Sequence, residues 1–62
     1  MIPQTGDIWE WTNRRGEPFF ILLLEEVPPK RAFKGFNGFW LGEGEAHLVY
    51  FDNELSQWRK VS

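Results

Sequence analysis

The one sustained apolar run of this sequence, Phe19-Phe20-Ile21-Leu22-Leu23-Leu24, is fenced by prolines: Pro18 stands before it and Pro28-Pro29 soon after it. Proline inside a helix removes a backbone hydrogen bond and clashes with the preceding turn, so regular structure is confined to residues 19–27. Leu-Leu-Leu-Glu-Glu within that window is good helix material. Phe19-Phe20-Ile21 favours a strand, and a strand apolar on both faces suits a sheet wrapped around its own core. The reading adopted is one long, bent strand.

Turn residues divide the rest at similar short intervals. Pro3 and Gly6 precede Asp7-Ile8-Trp9-Glu10-Trp11-Thr12, where alternation puts both Trp on one face of a strand. Asn13-Arg14-Arg15-Gly16 reads as a hairpin loop with Gly16 at positive φ. Residues 30–38 follow the double proline as the longest irregular segment, polar and glycine-bearing. Phe39-Trp40-Leu41 predicts a third strand, Gly42-Glu43-Gly44-Glu45 a turn, and residues 46–51 a fourth strand. Asp52-Asn53-Glu54-Leu55 suits a single 3₁₀ turn, and residues 57–61 a last strand. The expectation is an all-β fold in which residues 1–62 form one five-stranded domain.

A core for so short a chain has to come from somewhere. There is no cysteine, which excludes a disulfide framework and thiolate metal sites. Aromatic residues are 18% of the chain, and each ring removes a large area from water at little entropic cost. Trp9, Trp11, Trp40 and Trp58 are therefore core candidates first. Seven Lys and Arg against nine Asp and Glu leave a net charge of −2, which argues against binding nucleic acid by bulk charge. No apolar run approaches the roughly 20 residues that span a bilayer, and the first residues lack the basic and apolar regions of a signal peptide. A cytoplasmic protein without membrane contact is expected. The start at Met1 without a tag suggests a complete small reading frame, of the kind a phage or bacterium carries.

Five strands, a long loop after the second, a tight hairpin between the third and fourth, and one helical turn before the fifth form a distinctive order. That order resembles the Src-homology-3-like small β-barrel over nearly the whole chain. A five-stranded Greek-key barrel of the oligonucleotide-binding kind is the alternative, although those barrels usually run longer. Pro3-Gln4-Thr5-Gly6-Asp7-Ile8-Trp9, followed by Gly16-Glu17-Pro18 and an apolar strand, is similar to the opening hairpin of the ribosome-independent mRNA-cleaving toxins. Those toxins are themselves barrels of this class. The resemblance implies a catalytic arginine just before the proline, where this chain has Glu17, and a later Thr- or Ser-bearing strand that has no counterpart here. It speaks for the fold and against that activity.

Charge and rings interleave only in Lys30-Arg31-Ala32-Phe33-Lys34-Gly35-Phe36-Asn37-Gly38-Phe39-Trp40. Lys30, Arg31, Lys34 and Phe36 are the candidate partner-binding residues, with Phe36 as anchor because Gly35 and Gly38 flank it, and Phe33 as a lid on the core. Aromatic and arginine anchors suit a protein partner. Rings beside cations equally suit single-stranded nucleic acid, which the net charge demotes. The plainer reading is that both rings fold inward and the cations are solvated.

Other constellations are weaker. Glu43 and Glu45 in a glycine-rich turn lack the spacing of a known cation loop and read as a solvated hairpin tip. His47, the only histidine, has no cysteine to join in a zinc set and reads as a surface residue. Ser56, His47 and Asp52 have no surrounding nucleophile motif. A proline-rich-ligand groove would need more Tyr than Tyr50 and a longer first loop. The expected function is a non-enzymatic protein-interaction module without cofactor or metal, either a phage-encoded modulator of a host protein or a self-associating subunit. The alternative is a nucleic-acid-binding barrel using residues 30–40.

Overall fold

The structure, a computed structural model, describes residues 2–51 and 57–62. Five strands follow one another: β1 (Ile8–Thr12), β2 (Pro18–Lys30), β3 (Phe33–Leu41), β4 (Glu45–Phe51) and β5 (Trp58–Lys60). They form one antiparallel sheet in the order β4-β3-β2-β1-β5. The all-β expectation holds. No ladder joins the edge strands β4 and β5 among the described residues, so hydrogen bonding does not close the sheet into a barrel. The expected 3₁₀ turn over Asp52-Asn53-Glu54-Leu55 lies outside the described residues.

Coiling brings the two edges together nonetheless. In a flat sheet, β4 and β5 would stand about 19 Å apart, four strand spacings of about 4.8 Å. The Phe51 and Trp58 rings, one from each edge, have centroids only 4.4 Å apart. Strand β2 supplies much of the bend, with register irregularities between Leu23 and Glu25 and between Val27 and Lys30. Its first part is shared between β1 and β3, and its later part pairs with β3 alone.

The inner face carries the core. Trp9, Ile21, Leu23, Phe36 and Phe51 are buried, with Trp40, Val49 and Trp58 packed against them. Phe51 links three rings: Trp9 at 5.5 Å, Phe36 at 5.9 Å edge-on, and Trp58. Strand alternation delivers these residues, since Trp9 pairs with Ile21, Ile21 with Trp40, and Phe36 with Val49.

Two expectations are corrected in the β2–β3 hairpin. Strand β2 continues through Pro28-Pro29 to Lys30 instead of ending at Val27. Both prolines fall in the register gap between Val27 and Lys30, beyond the part of β2 that faces β1, where a missing N–H costs no ladder bond. Residues 30–38 are not an irregular segment either. β3 starts at Phe33, not Phe39, and only Arg31 and Ala32 form the turn. Gly35 and Gly38, which suggest flexibility in the sequence, give space instead. A Cβ on Gly35 would come within 2.5 Å of Tyr50 Cε1, and one on Gly38 within 2.6 Å of Ile21 Cγ1.

The first hairpin matches expectation. Gly16 has φ of 80°. The Asn13 side chain accepts from the N–H groups of Arg15 and Glu17, both at 2.9 Å, and donates to Glu17 Oε1 at 3.0 Å. Glu17 thus ties its own loop.

Candidate functional site

Three surfaces hold the chemistry of the described residues. The first is the tip of the β2–β3 hairpin. Lys30, Arg31, Phe33 and Tyr50 line a cavity of about 360 Å³ there. Arg31 holds φ of 58°, a left-handed conformation that favours glycine or asparagine, so the turn is strained where its cation projects. Lys34 faces elsewhere: its ammonium lies 3.8 Å from Glu26 Oε1 and 5.9 Å from the Phe36 ring centroid. The burial expected of the two rings is reversed. Phe36 is fully buried at 0% exposure and belongs to the core, whereas Phe33 is 40% exposed at the tip. The reason is strand parity: Phe36 sits opposite Val49 on the inner face, and Phe33, three positions away, points outward.

The second surface lies at the other end of the inner face. Trp11, Phe19, Trp40 and Glu43 line a cavity of about 160 Å³. Phe19 stands nearly perpendicular to Trp40, at 85° and 6.5 Å between centroids, and Trp11 is tilted 39° from Phe19 at 6.0 Å. Trp11 and Phe19 are cross-strand partners, which puts their rings side by side. Glu43 is held beside Trp40 by the turn itself, because the N–H groups of Glu43 and Gly44 both donate to the Trp40 carbonyl, at 3.3 and 3.1 Å. Trp11 also lines a second cavity, together with Asn13, Arg14, Arg15 and Gln57. Trp40 thus serves a cavity wall as well as the core, whereas Trp11, a core candidate in the sequence, is a cavity wall outside the core cluster.

The third surface is the outer face of the sheet. Ile8, Leu22, Phe39 and Ala46 pair in one row across four strands, with Phe20 opposite Leu41 beside it. Leu41 and Leu48 are 42% and 57% exposed. Polar pairs flank the row: Arg59 donates to Glu10 Oε1 at 2.8 Å, and Asn37 Nδ2 donates to Glu25 Oε1 at 2.8 Å. The carboxylate of Glu10 raises the Arg59 pKa above its ordinary value through that hydrogen bond and its charge.

Two further groups are notable. Glu43, Glu45 and His47 are all exposed, and their ligand atoms lie within 4.8 Å of one another. His47 Nε2 is 3.0 Å from Glu45 Oε2. Asp7, just ahead of β1 and not distinguished by the sequence, is buried. Its Oδ2 accepts from the Gln4 N–H at 2.9 Å and from the Trp9 indole at 3.2 Å, and Lys60 Nζ lies 3.7 Å from its Oδ1. Ser56 and Asp52 lie outside the described residues. No helix among the described residues is long and apolar enough to cross a membrane.

Comparison of the chain with protein-family models, with curated proteins and with solved structures returns no match.

Proposed function

We propose that this chain is a non-enzymatic protein-interaction module on a Src-homology-3-like small-barrel scaffold, and that its outer sheet face docks a second copy of itself. The strand order and the edge-to-edge contact of Phe51 with Trp58 support the scaffold reading. The observation that carries the function is the outer row of Ile8, Leu22, Phe39 and Ala46, with Leu41 and Leu48 exposed around it. An apolar strip with a polar rim is the anatomy of an interaction surface. Of its flanking carboxylates, Glu10 is neutralised by Arg59, and Glu25 accepts a hydrogen bond from the neutral amide of Asn37.

Light scattering of the purified chain tests this. Wild type is expected to run as a dimer or larger at tens of micromolar. Leu41→Lys combined with Leu48→Lys should give a monomer with an unchanged circular dichroism spectrum, because both side chains are exposed. A wild-type chain that stays monomeric at millimolar concentration overturns the self-association reading.

The hairpin tip favours a second reading, single-stranded nucleic acid held by Lys30 and Arg31 with bases stacked on Phe33 and Tyr50. The net charge of −2 weighs against it. Such binding would weaken steeply between about 50 and 200 mM salt, while an apolar protein interface would not.

A further inference from the structure

The cavity of Trp11, Phe19, Trp40 and Glu43 is lined by three aromatic residues and one acidic residue. A ring presents a negative face, so a cation surrounded by rings is attracted from several sides at once. Phe19 and Trp40 meet at 85°, which makes two walls of a corner rather than a stack, and Trp11 adds a third wall. Its volume of about 160 Å³ falls below the roughly 300–1,000 Å³ of pockets that hold whole drug-sized ligands, so it takes a head group or one side chain.

The walls select among possible head groups. An apolar group would fill the corner but desolvate Glu43 without return. An unmodified ammonium is strongly hydrated and needs three acceptors, and a guanidinium needs five, where the lining includes one acidic residue, Glu43, with Glu45 and His47 near it but outside the lining. A methylated ammonium needs few or none and keeps its charge. We propose that this cavity binds a methylated ammonium group, presented as an N-methylated lysine side chain by a partner protein. The second cavity that Trp11 lines supports a peptide as the carrier. Asn13, Arg14, Arg15 and Gln57 offer hydrogen-bonding groups to a peptide backbone beside the Trp11 ring.

This site lies on the inner face, away from the row assigned to self-association, so the two readings fail separately. The indole N–H resonances of Trp11 and Trp40 report on it, with buried Trp9 as internal reference. Tetramethylammonium chloride and choline chloride should shift Trp11 and Trp40 saturably, whereas sodium chloride at equal ionic strength and 3,3-dimethylbutan-1-ol, the neutral isostere of choline, should not. A trimethyllysine peptide should bind about tenfold more tightly than its unmodified twin, in the range that desolvated cation–π contacts supply. Glu43→Gln, an exposed change that leaves the melting temperature in place, should weaken binding several-fold. Equal binding of the neutral isostere, or no shift with tetramethylammonium, overturns the site. Phosphocholine binding more tightly than the peptide overturns the protein side chain as its ligand. The Leu41→Lys, Leu48→Lys chain should bind tetramethylammonium as wild type does.

Discussion

Phe33 and Phe36 are the same residue three positions apart, yet one is 40% exposed and the other fully buried. Phe36→Ala should therefore cost roughly 3–5 kcal/mol of stability, as truncation of a buried Phe does. Phe33→Ala should stay within about 1 kcal/mol of wild type. Urea melts of the two variants check this, and equal losses would contradict the placement. Asp7 carries a pH dependence of its own. Burial pushes its carboxyl up, but the Gln4 N–H, the Trp9 indole and Lys60 outweigh that and hold its pKa below the ordinary 3.8. A depressed carboxylate stabilises the fold fully above its unfolded value and loses that contribution as pH falls through the folded one. The loss thus falls below about pH 4. Asp7→Asn should melt lower than wild type at pH 7, and the gap should narrow as pH drops from 5 to 2. Parallel curves would remove Asp7 as a source of acid sensitivity.

The β2–β3 hairpin shows how glycines and prolines mislead when taken alone. Gly38 faces inward against Ile21, and Gly35 lies under the Tyr50 ring. A side chain at Gly38 has to displace a core residue that is 0% exposed, so Gly38→Ala should destabilise by roughly 1–3 kcal/mol, the cost of overpacking. A thermal melt tests it, and an unchanged melting temperature would mean that Ile21 can move aside. At the tip, Arg31→Gly removes left-handed strain and should stabilise the hairpin by about 1 kcal/mol. The same change deletes a cation from the tip, so unchanged nucleic-acid affinity in this variant would argue against a role for Arg31 there.

Among the described residues, the two sheet edges meet through rings rather than through a ladder. Trp58 on β5 reaches Phe51 on β4 and Trp40 on β3, at 4.4 and 6.3 Å. Trp58→Ala should cost about 2 kcal/mol or more and reduce the near-ultraviolet circular dichroism that coupled rings produce, while the far-ultraviolet β signal remains. Retention of the near-ultraviolet signal would show that the edges are held by something else.

Strand content, hairpin order and the aromatic make-up of the core were legible in the sequence, because alternation and turn residues act locally. The Asn13–Gly16 loop and the paired faces of Trp9 and Trp11 followed from a few neighbouring residues. The extent of β3 did not, since Gly35 and Gly38 look like breaks until Ile21 and Tyr50, distant in the chain, occupy the space they leave. The sorting of Phe36 from Phe33 waited on register with β4, and the Trp11, Phe19, Trp40 and Glu43 cavity on three strands and a turn meeting at one end. Local chemistry names the residues able to form a strand or turn. Which face each one shows, and to which neighbour, depends on pairing across the sheet, where a shift of one residue turns every side chain over.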